Sequence, residues 1–203
     1  LLNHTLSVNI DRIWRRRAVN EVRRANPRRI LDVATGTGDL AIALARRIRD
    51  VQVMGVDLSE EMLAVARRKV EARGLDSRIV LERGDAEHLE VADASVDAAT
   101  VAFGVRNFGD LAAGLRELAR TIRPGGKVVI LEFSRPRNRV FRALYEFYSY
   151  KILPRIGGLV SRDKRAYEYL PASVGEFPAP AEFLGMMEKA GFRNCRAKSQ
   201  SCG

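Results

Sequence analysis

"RILDVATGTGDLAIALARRI", residues 29–48, passes from a strand-like apolar run through two closely spaced glycines into a run with helical period. A buried strand, a tight turn and a helix in direct succession form the first half of a crossover unit, which returns the chain to a parallel neighbour. Gly36 and Gly38 let the backbone come close to a ligand, and the helix begins near Leu40.

The same alternation continues outward. "VQVMGVD" is followed by "SEEMLAVARRKVEAR", then "RIVLERGD", then "VDAATVAF" before "DLAAGLRELARTI", and lastly "KVVILEF". Short apolar runs separated by helices imply right-handed crossovers and strands buried on both faces. The expected fold is therefore α/β, an open, doubly wound, mostly parallel sheet with helices on both faces. Ser59 is placed to cap its helix, with Glu60 and Glu61 favourable in the first turn. Gly74 is placed to stop it, and Pro124-Gly125-Gly126 predicts a turn before the fifth strand.

Composition sets limits on this picture. The 203 residues are 46% hydrophobic, enough for one cored domain. No apolar run approaches the roughly 18 residues that span a bilayer, so a soluble, cytoplasmic protein is expected. Cys195 and Cys202 lack metal-ligand spacing and read as free thiols; His4 and His88 are isolated, so no metal site is expected. The net charge of +10 is concentrated early: residues 1–29 hold eight Arg against Asp11 and Glu21. "DRIWRRRAVNEVRRA", 11–25, puts Ile13, Trp14, Ala18, Val22 and Ala25 near one helical face, with arginines around the rest. That helix reads either as a solvated basic cap or as a surface for anionic lipid or nucleic acid phosphate.

In a doubly wound sheet, ligands bind beyond the carboxyl ends of the strands where strand order reverses. The segment Gly36–Ala41 satisfies the loose G-x-G-x-x-A dinucleotide pattern, which keeps a nicotinamide enzyme open. Asp39 argues against it, because a carboxylate at the helix start repels a pyrophosphate and attracts a cationic ligand. S-adenosylmethionine carries a sulfonium and an ammonium and no phosphate; the alternative is that Asp39 only caps the helix. Asp57, 20 residues after Thr37, can accept both ribose hydroxyls. Asp85, with the N–H of Ala86 in "GDAEHL", is placed to read an adenine edge or else to serve as a turn residue.

The glycine loop, Asp57, Gly84-Asp85-Ala86 and the Pro-Gly-Gly turn together resemble a class I S-adenosylmethionine-dependent methyltransferase with a Rossmann-like fold. More narrowly, "LLNHTLSVNIDRIWRR" (1–16), "FGVRNF" (103–108), "RTIRPGGKVVILEFSRP" (120–136) and "YLPASVGEFP" (169–178) resemble the ubiquinone/menaquinone biosynthesis C-methyltransferases. The similarity spans essentially the whole chain. It departs at Asn9, where Gly is common, and at Asp11, where some members have His. The family's Tyr-Asp pair ahead of Asn3 is not reached. After Gly191 there is room for one strand where the family sheet has two, so the C-terminal sheet edge is expected to be incomplete, as in a trimmed piece.

The resemblance implies a single domain over 1–203, with a basic helical cap (1–28), a cofactor-binding core (29–134), an acceptor-side lid (135–180), and a last helix with a partial strand (181–203). It places S-adenosylmethionine on Gly36, Thr37, Gly38, Asp57, Asp85, Ala86 and Ala102, the last through its backbone because it has no hydroxyl. It implies methylation of a ring carbon of a prenylated quinol, most simply demethylmenaquinol, with the ubiquinone precursor as a second acceptor. Arg106 and Asn107, just past the fourth strand, then border the acceptor. Arg106 would stabilise a phenolate, and a water that it orders with Asn107 would take the proton, since arginine stays protonated. The alternative is that Arg106 pairs with Asp110 and only fixes a turn. Glu132 either faces the acceptor or balances arginine charge. Tyr145, Phe147, Tyr148, Tyr150, Tyr167 and Tyr169 are candidates for the lid lining. With the basic segments at 11–25 and 139–158, a lipid-soluble acceptor implies peripheral contact with an anionic membrane at the cytoplasmic face. A homodimer is left open. Two other functions are weighed, an RNA methyltransferase and a non-catalytic cofactor-binding module, although no Asn/Asp-Pro-Pro-aromatic tetrad and no RNA-binding module accompany the arginines.

Overall fold

The computed structural model describes residues 10–133 and 177–200. Most of the expected lid, with its six aromatic candidates, lies outside the described residues, as do His4, Asn9 and Cys202. The elements in chain order are α1 (Ile10–Arg23), β1 (Arg29–Val33), α2 (Asp39–Arg47), β2 (Gln52–Asp57), α3 (Glu60–Glu71), β3 (Ile79–Arg83) and β4 (Val96–Ala102). A single 3-10 turn (Val105–Asn107), α4 (Leu111–Thr121), β5 (Ile122–Leu131) and α5 (Pro180–Lys189) follow.

Among the described residues all strand pairs of the sheet are parallel, in the order β3-β2-β1-β4-β5. The chain moves outward from β1 to β3 and then returns to lay β4 against the other edge of β1. The reversal therefore falls between β1 and β4, which opens a crevice above their carboxyl ends. The central strands read as continuous apolar runs because both faces are covered. Ile30 of β1 packs with Val19, Val22, Leu44 and Val53 on one face. Leu31 and Val33 pack with Leu115, Leu118 and Phe183 on the other. Each such fully buried side chain contributes about 1.5–3 kcal/mol.

The local signals of the sequence are realised in α3 and α4. Ser59 Oγ accepts the Met62 N–H at 3.2 Å, and Gly74, at φ 61°, ends the α3 segment with its N–H on the Glu71 carbonyl. Asp110 Oδ1 accepts the Ala113 N–H at 2.9 Å.

Three expectations need correction. The Pro124-Gly125-Gly126 turn is not ahead of the fifth strand but inside it. Val96 pairs Ile122 and Ala98 pairs Lys127, so the intervening β5 residues bulge out of register. In α1, Ala18, Val19 and Val22 are buried but Ile13 is 52% exposed. The inward face is instead set by Asp11 and Arg15, a buried ion pair one turn apart, and Ile13 lies about 200° around the helix from Asp11 at 3.6 residues per turn. Beyond α5, residues 190–200 form no strand, so β5 is the sheet edge among the described residues.

Candidate active site

A cavity of about 590 Å³ opens above the carboxyl ends of the strands. It brings together Gly36, Thr37, Asp57, Asp85, Ala86, Ala102, Arg106 and Asn107. Of the residues expected to hold the cofactor, Gly38 is outside the lining. A Cβ on Gly38 would sit 3.1 Å from the Ala66 Cβ, so its smallness lets the glycine loop pack against α3.

Each strand end contributes through a definable contact. Asp57, at the end of β2, accepts the Gly36 N–H at 2.7 Å on one oxygen and the Ser59 N–H at 2.9 Å on the other. It thereby ties the β1 loop to the start of α3 while facing the cavity. Asp85 Oδ1 accepts the Glu87 N–H at 2.9 Å, so the turn role and the cavity position coexist. At the reversal point the loops after β1 and β4 touch: a Cβ on Gly104 would fall 2.4 Å from the Ala34 Cβ. Ala34 and Phe103 both hold left-handed backbone, at φ 52° and 60°. Strain of this kind in non-glycine residues costs about 1–3 kcal/mol each and persists where the surroundings fix it.

Asp39 behaves differently from the sequence reading. It is the first residue of α2 and not its cap, because the N-cap is Gly38 and makes no side-chain bond. Lys69 reaches across from α3 to Asp39 at 2.6 Å and to the carbonyl and hydroxyl of Thr37 at 3.0 Å each. The Asp39 charge is thus offset in place, and its power to exclude a pyrophosphate is weaker than the sequence suggests. Lys69 instead straps the glycine loop to α3.

Arg106 pairs with Glu132, not Asp110. The ion pair is 2.6 Å with side chains 6% and 5% exposed, and the same guanidinium donates to the Phe103 carbonyl at 2.7 Å. Burial raises the Glu132 carboxyl above its usual range, opposed by the Arg106 charge and by the N–H groups of Phe133 and Arg106. Of the two readings of Glu132, charge balance is the one realised.

Aromatic rings connect the two arginines that line the cavity. Phe103 and Phe133 stack at 4.6 Å, and Trp14 of α1 meets each at 6.2 and 6.0 Å. Arg15 lies 5.6 Å over Phe103, and Arg106 lies 5.6 Å over Phe133. The order of the stack is guanidinium, ring, ring, guanidinium.

Sequence reasoning missed Asp32, Arg15 and Lys69. Asp32 lines the cavity at the end of β1, buried, and accepts the Thr35 and Thr100 hydroxyls at 2.6 Å each. Burial pushes its carboxyl up to about 6, opposed by those two hydroxyls and the Arg15 charge. Its signal was a carboxylate inside an otherwise apolar strand. Arg15 was hidden in a charge run that reads as a solvated face.

The donors and acceptors suit S-adenosylmethionine. Carboxylates at the β2 and β3 ends can accept ribose hydroxyls and an adenine amino group. Beside them Leu58 and Met62 leave apolar surface, 60% and 42% exposed, that a purine ring can cover.

Comparison with known proteins agrees. The ubiE/COQ5 methyltransferase family matches residues 1–203. The ubiquinone/menaquinone biosynthesis C-methyltransferase UbiE of Geobacter sulfurreducens is 46% identical over 203 residues, 100% of this chain and 79% of that protein. The demethylmenaquinone methyltransferases of Deinococcus radiodurans and Thermus thermophilus are each 49% identical over 95% of this chain, and over 79% and 86% of their own lengths. In fold, the chain is similar to a SAM-dependent methyltransferase from Aquifex aeolicus, with TM-score 0.60 and 21% identity over 83% of this chain and 73% of that one. It is similar also to the YcgJ protein of Bacillus subtilis, with TM-score 0.63 and 24% identity over 86% and 68%.

Proposed function

This chain belongs to the ubiE/COQ5 methyltransferase family, and on that premise we propose that it methylates a ring carbon of a prenylated quinol, demethylmenaquinol by preference. It is an S-adenosylmethionine-dependent methyltransferase. The single observation that carries the reading is the convergence of carboxylates from β1, β2 and β3 with Arg106 and Asn107 on one cavity.

When bound, S-adenosylmethionine supplies an electrophilic methyl group on a sulfonium. The residues of the chain do the rest by holding and by moving one proton. Asp57 accepts from the ribose, Asp85 and the Ala86 N–H hold the adenine edge, and the Gly36–Gly38 loop borders the amino-acid portion. On the acceptor side, ring carbon becomes nucleophilic when the neighbouring hydroxyl ionises, and a phenol has a reference pKa of about 10. Arg106 donates to that oxygen as charge develops on it, and each unit of depression corresponds to about 1.36 kcal/mol. Glu132 holds the guanidinium in orientation and offsets its charge, so Arg106 works as an aimed donor and not as an uncompensated cation. A water positioned by Arg106 and Asn107 accepts the hydroxyl proton; after methyl transfer the ring carbon gives up its own hydrogen as a proton and the hydroxyl is restored, so that one proton is released in all.

Incubation of the protein with labelled methyl donor and either reduced demethylmenaquinone or bulk RNA tests the reading. Label in the quinol fraction alone is expected. Label in RNA, or cofactor binding with no transfer to either, would overturn it.

The acceptor's lipid solubility gives the outward face of α1 a use. Arg12, Ile13, Arg16 and Arg23 are exposed there, on the helix that also supplies Arg15 to the site. Basic residues around an exposed apolar one suit an anionic bilayer surface. Flotation with anionic vesicles at low salt is expected to carry the protein upward, and neutral vesicles are not. Among the described residues no helix is long and apolar enough to cross a membrane.

A further inference from the structure

The geometry points to Arg15, on the N-terminal helix, as the residue that binds the α-carboxylate of S-adenosylmethionine. The sheet itself fixes which end of the cavity is which. Its order places Asp85 (β3), Asp57 (β2), Gly36 (β1) and Phe103 (β4) in sequence along the crevice. With the adenosine held by the β2 and β3 carboxylates, the amino-acid portion must extend toward β1 and β4.

Arg15 stands at that far end. Its guanidinium lies 5.6 Å over Phe103, just past β4, and its charge reaches Asp32 at the tip of β1. The cavity is otherwise dominated by acids. These favour the sulfonium and ammonium but repel a carboxylate, so the far end needs a fixed cation. Only two cations line the cavity among the described residues, Arg15 and Arg106. Arg106 is turned to Glu132 on the β5 side, and Lys69, outside the lining, is held by Thr37 and Asp39.

Arg15 is also prepared for the task. Its side chain is 13% exposed and one turn from the wholly buried Asp11, which takes a single N–H of the five a guanidinium offers. That contact fixes the fork against the Phe103 ring and leaves it able to meet a second carboxylate in a partly desolvated setting, where charge-assisted bonds are strong. The N-terminal helix thereby becomes part of the cofactor site, which the glycine loop and the acidic strand ends alone do not complete.

Two ligands separate this role from a structural one. S-adenosylhomocysteine carries the carboxylate; the corresponding aminopropyl thioether of adenosine keeps the ammonium and lacks the carboxylate. By calorimetry the unmodified protein is expected to prefer S-adenosylhomocysteine by about 10- to 100-fold, the range for a bond to a charged group. Arg15→Gln should lower affinity for S-adenosylhomocysteine by the same factor and leave the amine within about twofold. Arg15→Lys, which keeps the charge without the fork, should lose an intermediate factor on S-adenosylhomocysteine alone. The assignment is overturned if the unmodified protein does not distinguish the two ligands, if Arg15→Gln binds S-adenosylhomocysteine normally, or if either variant weakens both ligands equally. None of these readouts depends on the acceptor, so a failure of the quinol assignment would leave them unchanged.

Discussion

Arg106 and Glu132 face each other at 2.6 Å, with almost no exposed side-chain surface on either. The guanidinium that lines the cavity therefore brings its own counter-charge from β5. Removing one partner of a buried pair leaves the other uncompensated, at a cost of about 3–5 kcal/mol, whereas apolar replacement of both is often near neutral. Arg106→Met is expected to show a loss of that order in urea denaturation. Arg106→Met with Glu132→Leu should recover most of the stability yet remain inactive in methyl transfer. A double variant that regains activity would mean that Arg106 is structural only.

Asp57 joins two backbone segments and faces the cavity with the same carboxylate. Asp57→Asn keeps one acceptor oxygen and cannot serve both the Gly36 and Ser59 N–H groups. The loss should be about 1–2 kcal/mol in stability, together with roughly a 10- to 100-fold drop in S-adenosylhomocysteine affinity by calorimetry. A stability loss with affinity intact would place the ribose elsewhere.

Asp32 and Asp97 should give opposite pH signatures. Burial raises Asp32 to about 6, so folding favours its protonated form relative to the unfolded chain, and the stability linked to it is lost as pH rises from about 4 through 6. A cationic ligand needs the ionised form, so S-adenosylmethionine affinity should fall as pH drops below about 6, and Asp32→Asn should flatten that dependence. Calorimetry across pH 5–8 measures it, and an unchanged slope in the variant would remove Asp32 from the ligand's surroundings.

Asp97 anchors the entry to β1. Burial acts to raise its carboxyl, but the N–H groups of Arg29 and Arg28, at 2.7 and 2.6 Å, and the Arg123 charge outweigh it and hold it below the usual range. Its stabilisation is therefore present above the ordinary carboxylate pKa and disappears as pH falls through the folded value. Asp97→Asn should destabilise the protein at pH 7, and the difference from the unmodified protein should shrink toward pH 3 in thermal unfolding.

Gly36 and Gly104 separate affinity from stability. Gly36 has open space around a would-be Cβ but sits at φ 57°, so Gly36→Ala should cost about 1 kcal/mol of stability and weaken cofactor binding. Gly104→Ala places a methyl 2.4 Å from the Ala34 Cβ and should cost more stability than Gly36→Ala, since two loops must part. Paired urea and binding measurements on the two variants check the order.

The parts of this protein that obey local rules could be read in advance. Strand and helix succession, the Ser59 cap and the Gly74 stop depend on neighbours along the chain, as do the carboxylates at the strand ends. What escaped reading depends on partners far apart in sequence. The sequence offered Glu132 as a balance for arginine charge but could not say which arginine, and nothing near Asp39 announces Lys69. In α1, period alone placed Ile13 inward, because a hydrophobic pattern cannot register that Asp11 and Arg15 turn inward as an ion pair. Asp32 was overlooked for the same reason: its two hydroxyl donors come from Thr35 and from Thr100, on the neighbouring strand.

The stack of Arg15, Phe103, Phe133 and Arg106 has a consequence for the order of events. Arg15 and Arg106, the residues proposed to meet donor and acceptor, cap the two ends of one contiguous pile of rings, braced by Trp14 from the N-terminal helix. If the two ligands do couple through this pile, linkage requires that any help the first gives the second be returned in equal measure.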